Sequence, residues 1–185
     1  MRMFFALEMP QEVCAPLARL IEPLRARARS VRWVNPAAIH LTLRFLGSVE
    51  PEQLDSILTA ARCATGGKPR LCLRTTDLGT FPGGGRPRVI WIGLEDLDGS
   101  LHGLHDSLET ALEQGGIPRE PRAFSPHLTL GRVRRGADAR GALSGARPPL
   151  PVAFEVGEVV LMASLLEPQG ARYEVRSRLP LGGAA

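Results

Sequence analysis

His40-Leu41-Thr42-Leu43 and His127-Leu128-Thr129-Leu130 are one tetrapeptide written twice, 87 residues apart. An internal repeat is the first feature to weigh in a sequence. Each copy falls in a stretch that alternates apolar and polar residues, Ile39 to Leu46 and His127 to Val133. Alternation of that kind marks a strand with one buried face. On a strand, residues i and i+2 share a face, about 6.6–6.8 Å apart. Leu41 and Leu43, with Ile39, therefore face a core, and His40 and Thr42 face away from it. The second copy repeats the arrangement with His127 and Thr129. One motif per half of the chain points to two similar lobes rather than a solenoid.

Outward from the two motifs, strand and helix signals alternate. Phe4 to Leu7 reads as a first strand. Pro10 opens a helix with Val13, Leu17, Leu20, Ile21 and Leu24 at spacings of three and four. Val31 to Val34 is a short strand, and Asn35-Pro36 a turn. A second helix spans Pro51 to Cys63 and ends at Gly66-Gly67. Leu71 to Arg74 and Val89 to Ile92 are strands, separated by the loop Phe81 to Pro87. A third helix runs from Ser100 to Glu113 and stops at Gly115-Gly116. Asp138 to Leu143 is expected as a short helix. Phe154 to Met162 and Tyr173 to Leu179 close the chain as a pair of strands. Several strands follow one another across short turns, which predicts an α+β fold with antiparallel sheets. No linker divides the chain, so residues 1–185 are expected to form one domain. The glycines at Gly83 to Gly85 do not precede a helix, so the loop is read as a hairpin and not as a phosphate cradle.

Composition sets the outer bounds. At 185 residues and 44% hydrophobic content, the chain can bury a sizeable core. It contains no run of about 20 apolar residues, so no membrane helix is expected. The N-terminus lacks the apolar length of a signal peptide. Cys14, Cys63 and Cys72 are odd in number and lack C-x-x-C spacing, which suggests neither a disulfide framework nor a zinc site. A cytoplasmic location follows. The net charge is +4, and all of the 23 basic residues but Lys68 are arginine. Arginine suits phosphate recognition, although a compositional bias of the genome produces the same excess.

A lone His-x-Thr on an exposed strand face is ordinarily just polar surface. Two identical copies in matching contexts are better read as a site. Brought side by side, they gather two imidazoles and two hydroxyls around a space that fits a tetrahedral phosphate. One imidazole can remove a proton, the other can supply one, and the threonines can bind non-bridging oxygens. Spacing does not say which histidine does which. No His, Asp or Cys cluster with metal-ligand spacing appears, and no cofactor is implied.

The chain resembles the 2H phosphoesterase superfamily, named for two His-x-Thr/Ser motifs. The similarity is to its bacterial RNA 2′,3′-cyclic phosphodiesterase branch, also called 2′-5′ RNA ligase. It rests on Arg2 to Leu7, on His40 to Gly47 (HLTLRFLG), and on Phe81-Pro82 with Pro87 to Gly93. It also rests on Phe124 to Arg132 (FSPHLTLGR) and on the tail from Phe154 through Ser164, Tyr173 and Leu179-Pro180-Leu181. The resemblance implies two pseudo-symmetric lobes with antiparallel sheets flanking a central cleft, the LigT-like fold. It implies metal-independent hydrolysis of RNA 2′,3′-cyclic phosphate ends, or of small cyclic nucleotides, to 2′-phosphates by a monomer. It implies His40 as proton donor to the leaving 3′ oxygen and His127 as the base that activates water.

Other residues are read from position. Arg44 shares a face with His40 and Thr42 by period two and is a candidate for phosphate or RNA contact. Arg132 follows Gly131; strict alternation turns it away from His127, and a glycine bulge would re-aim it toward the phosphate. Trp91 and Trp33 are read as core or cleft-wall packing. His102 and His105 match no motif. Two other functions use the same residues: 2′-5′ ligation by the reverse chemistry, and non-catalytic RNA binding.

Overall fold

The computed structural model describes residues 1–83, 85–167 and 170–183, with positions 166, 167, 170 and 171 described by backbone alone. The middle of the Gly83 to Gly85 loop therefore lies outside the described residues. Nine strands and three helices occur in the order β1 (Arg2–Glu8), α1 (Gln11–Arg27), β2 (Val31–Trp33), β3 (His40–Ser48), α2 (Leu54–Thr65), β4 (Leu71–Phe81), β5 (Val89–Asp96), α3 (Ser100–Gln114), β6 (His127–Val133), β7 (Ala153–Val156), β8 (Glu158–Glu167) and β9 (Gly170–Pro180). Short 3₁₀ turns at Pro36–Ala38 and Pro51–Gln53 lead into β3 and α2. The expected α+β class is what the chain adopts. No helix is long and apolar enough to cross a membrane among the described residues.

All strands join one antiparallel sheet in the order β7-β4-β5-β6-β3-β1-β8-β9, with β2 added on β6. Strands β7 and β8 are consecutive in the chain, yet they pair at opposite ends of that order, β7 with β4 and β8 with β1. Only Gly157 separates them. So short a link requires the sheet to curl round until its two ends approach. The sequence reading took Phe154 to Met162 as a single strand; the structure cuts it at Gly157. A β-carbon there would lie 2.4 Å from the Arg70 guanidinium, so a larger residue at the crossing would have to push that exposed side chain aside. The expected helix at Asp138 to Leu143 is also absent, replaced by successive turns at 140–145. Asp138 there accepts from the backbone and side chain of Arg140, a local bond that competes with helix.

The helices cover one face of the sheet. Met3, Phe5 and Leu7 of β1, Leu41 and Leu43 of β3, and Leu128 and Leu130 of β6 meet the apolar stripes of the helices in one continuous core. The α3 stripe is Leu101, Leu104, Leu108 and Leu112, at the spacing the sequence predicts. Phe4, Ala6, Val160 and Met162 form a second, smaller cluster with Tyr173 on the other face of β1. That other face is the one on which the histidines lie.

Candidate active site

Strands β3 and β6 meet at the pair Leu41↔Leu128, the central leucines of the two tetrapeptides. Continued one residue each way, an antiparallel register sets His40 opposite Thr129 and Thr42 opposite His127. A local two-fold axis therefore passes between the two leucines and exchanges one motif with the other. Opposed residues on one face have β-carbons about 4.5–5.5 Å apart. The leucines are fully buried beneath, and the four polar side chains are half-buried above. The two motifs are brought together as the repeat predicted.

Both imidazoles are tethered in the same way. His40 Nδ1 lies 2.9 Å from the Ala38 carbonyl, and His127 Nδ1 lies 2.7 Å from the Ser125 carbonyl. A carbonyl only accepts, so each Nδ1 carries a proton, and each Nε2 is the nitrogen left to exchange one. Local sequence builds these tethers. The Asn35 side chain accepts from the Ala37 N–H and starts the 3₁₀ turn that ends at Ala38. On the other side, Pro126 accepts from the Leu94 N–H of β5 and fixes the residue between Ser125 and His127.

Each imidazole is also clasped by two aromatic rings. His40 lies 5.1 Å from Phe4 of β1 and 5.0 Å, edge-on, from Tyr173 of β9. His127 lies 5.0 Å, edge-on, from Phe81 of β4 and 6.3 Å from Trp91 of β5. The sequence reading allowed Trp91 as cleft wall but gave Phe4, Phe81 and Tyr173 no part near the histidines. Their strands are distant in sequence, so only the pairing order could reveal them. Trp91 lies flat over Gly79, where a β-carbon would come within 2.2 Å of the indole.

Burial pushes the His40 pKa below the ordinary imidazole value. The bond to the Ala38 carbonyl opposes the shift, the charge of Arg132 adds to it, and Glu8 opposes it. Glu8 stands opposite His40 across β1 and β3 and is itself held by Arg178 at 2.6 Å.

The two candidate arginines part company. Both motif strands carry a bulge at the last leucine of the tetrapeptide. Against β1, Phe5 pairs with Arg44 and Ala6 with Thr42, so Leu43 is skipped. Against β5, Ile90 pairs with Gly131 and Trp91 with Thr129, so Leu130 is skipped. A bulge shifts all later residues to the opposite face. Arg132 accordingly emerges exposed on the histidine face, near enough to act on His40. Arg44, expected on that face, is turned under the sheet instead, and this corrects the reading from period two. It is 6% exposed, with Nε 2.8 Å from the buried Glu109 of α3 and Nη1 3.6 Å from Glu120. Its guanidinium also donates to the Pro118 carbonyl. Phe45 takes the vacated place, 51% exposed and 5.7 Å from Phe4.

The remaining histidines have other contacts. His102 Nδ1 is 2.7 Å from Asp96, and His105 stacks on Phe124 at 4.0 Å. No group of three His, Cys, Asp or Glu side chains that could hold a metal ion occurs among the described residues.

Residues 10–166 match the model of the 2′-5′ RNA ligase superfamily. The chain is 31% identical to an RNA 2′,3′-cyclic phosphodiesterase of Thermotoga maritima, over 95% of this chain and 92% of the relative. It is 33% identical to the Thermus thermophilus protein of the same name, over 99% and 91%. Among solved structures, TT0787 of Thermus thermophilus superposes with a TM-score of 0.81 at 31% identity, covering 99% of both chains. Escherichia coli LigT complexed with 3′-AMP superposes with a TM-score of 0.78 at 27% identity, covering 98% of both. A repeated His-x-Thr pair on a curled antiparallel sheet, matched along nearly its whole length by these relatives, makes this chain a member of the 2′-5′ RNA ligase superfamily.

Proposed function

We propose that this chain opens 2′,3′-cyclic phosphate ends of RNA, or of small cyclic nucleotides, to 2′-phosphates without a metal ion. The observation that carries the reading is the Leu41↔Leu128 pairing, which sets two His–Thr pairs on one face with both Nε2 atoms available. The names of the relatives agree with that substrate class.

In the proposed reaction, His127 Nε2 takes a proton from water as the oxygen attacks phosphorus. The bond from phosphorus to O3′ breaks, and His40 Nε2 delivers a proton to O3′. The product is a 2′-phosphate with a free 3′-hydroxyl. Thr42, Thr129 and Arg132 hold the non-bridging oxygens, whose negative charge grows in the transition state. Arg44 is left out of the binding set. The acting unit is the whole chain as one domain, a monomer in the cytoplasm, each lobe lending one motif.

The lowered pKa of His40 favours a second assignment, in which His40 is the base and His127 the donor. The first assignment requires the substrate to restore the proton. An anionic phosphodiester beside His40 does that, because it stabilises imidazolium. Ligation remains the same chemistry with a 5′-hydroxyl entering or leaving in place of water.

The test is an RNA oligonucleotide ending in 2′,3′-cyclic phosphate, incubated with the protein with and without EDTA. Conversion to a 2′-phosphate unaffected by EDTA is expected. A longer product would favour ligation, and a bound but unchanged oligonucleotide a non-catalytic module. Loss of activity in EDTA with recovery on adding a divalent ion would overturn the metal-free mechanism.

A further inference from the structure

The inference concerns Arg32, and it rests on the proposed phosphodiesterase reading. In β2, Val31 and Trp33 are buried and Arg32 between them is exposed. Val31 and Trp33 close over Gly131, where a β-carbon would lie 2.6 Å from one and 3.1 Å from the other. Arg32 therefore points to the opposite face, the one that carries the histidines. Its partner across the strands is Arg132.

Residues directly opposed in an antiparallel pair have β-carbons about 4.5–5.5 Å apart, and like charges there repel. Three other arginines on or beside the sheet have carboxylates next to them: Arg70 has Glu155, Arg74 has Glu95, and Arg178 has Glu8. Among the described residues, neither Arg32 nor Arg132 has an acidic partner. Arg88, Arg134 and Arg135, all exposed and likewise without a carboxylate, lie at the same strand end: Val133 donates to the Arg88 carbonyl and Arg134 to that of Ser30. Two opposed guanidiniums with no carboxylate form a fork suited to phosphate oxygens.

Arg132 is already close enough to His40 to act on its charge. Arg32 stands on the same edge of β6 as His40, further along β6 toward its C-terminal end. A 2′,3′-cyclic phosphate ends the RNA at its 3′ side, so the next phosphate is the one at O5′ of the terminal nucleoside. We propose that Arg32 binds that 5′-side phosphate and makes the site selective for RNA ends over nucleoside 2′,3′-cyclic monophosphates, which lack it. The RNA then leaves the cleft across β2 toward Arg134.

The test compares Arg32→Ala with the unaltered protein on two substrates, a nucleoside 2′,3′-cyclic monophosphate and a short oligonucleotide ending in the cyclic phosphate. The ratio of kcat/KM for the oligonucleotide to that for the mononucleotide should fall about tenfold, mainly through KM, as loss of one charge-assisted contact implies. Arg32→Lys should recover part of it. A ratio unchanged in Arg32→Ala, or activity on both substrates falling in parallel, overturns the proposal. Binding gives a readout that needs no turnover. For an oligonucleotide ending in 2′-phosphate, the slope of log affinity against log salt should become shallower by about 0.7–1 in Arg32→Ala. An identical slope overturns the proposal even if the protein proves not to hydrolyse cyclic phosphates, which is the separate failure of the functional reading.

Discussion

Strands β3 and β6 begin with the same four residues and bulge at the same leucine, and they differ in what the bulge delivers. In β6 the residue turned inward is Gly131, which leaves room for Val31 and Trp33 and sends Arg132 to the open face. In β3 the residue turned inward is Arg44, which needs Glu109 beneath it, and an aromatic ring, Phe45, emerges instead. The backbone repeat supplies two equivalent histidine seats. The residue after each bulge makes one side of the cleft cationic and the other aromatic. Symmetry thus builds the proposed catalytic pair, and departure from symmetry gives the cleft a direction.

The largest expected effect tests the symmetric part. His40→Ala and His127→Ala should each lower kcat by about 10²–10⁴-fold, the range of general acid–base catalysis. The double variant should lose less than the product of the two, because they act as a unit. Near-normal turnover in either single variant would break the equivalence of the two seats. A substrate with a much better leaving group sharpens the comparison: it should restore activity to the variant lacking the donor, expected to be His40→Ala, and not to the other.

Next in size is the asymmetric part inside the protein. Removing one partner of a buried ion pair strands the other, at a cost of about 3–5 kcal/mol. Arg44→Ala should lower unfolding stability by that amount in a denaturant titration, where Gly131→Ala tests the matching seat in β6. A loss below about 1 kcal/mol for Arg44→Ala, the level of a surface pair, would mean that the Glu109 contact does little.

These two arginines also mark how far the sequence could be read. The tetrapeptide repeat gave both motif strands, their faces and their convergence, because period two is fixed by backbone geometry. It could not give a bulge in β3. Leu43-Arg44-Phe45-Leu46 alternates acceptably in either register, and no glycine marks the slip. In β6, Gly131 does mark it, and Arg132 was placed on the possibility of a bulge. The strand cut at Gly157 was missed for a different reason. Phe154 to Met162 is one apolar run, and only the opposite pairing partners of its two halves separate them. The aromatic clasps likewise depend on pairing between distant strands.

A smaller effect is expected at Gly79, which has no counterpart beside His40. The Trp91 indole occupies the space a β-carbon would need. Gly79→Ala should displace the indole and cost about 1–3 kcal/mol, as overpacking does. Because Trp91 borders His127 and not His40, the resulting loss of activity should resemble a mild version of His127→Ala, persisting with a good leaving group. Unaltered stability and activity would mean that Trp91 moves aside freely and does not seat the imidazole.

The smallest expected effect is a displacement along the pH axis, and it separates the two histidines where rate losses cannot. kcat/KM should be bell-shaped, with limbs that belong to the coupled pair. His40 has its pKa depressed by burial, with Arg132 adding to the depression and Glu8 opposing it. If His40 is the donor, it must be protonated in the free protein, so activity is lost as pH rises past its pKa. Bound anionic substrate raises that pKa, so the limb in kcat lies further to the alkaline side than in kcat/KM. Arg132→Ala removes a depressing charge and should move the alkaline limb of kcat/KM upward. Glu8→Gln removes a supporting charge and should move the same limb downward. The opposite signs distinguish a field at His40 from general damage to the cleft, which would lower the bell without sliding one side of it. If the two variants instead slide the acid limb in those directions, His40 supplies the lower of the pair's two apparent pKa values, which either role allows, and the labels are then decided by which single variant a good leaving group rescues, with the two-fold seat and its four side chains unchanged.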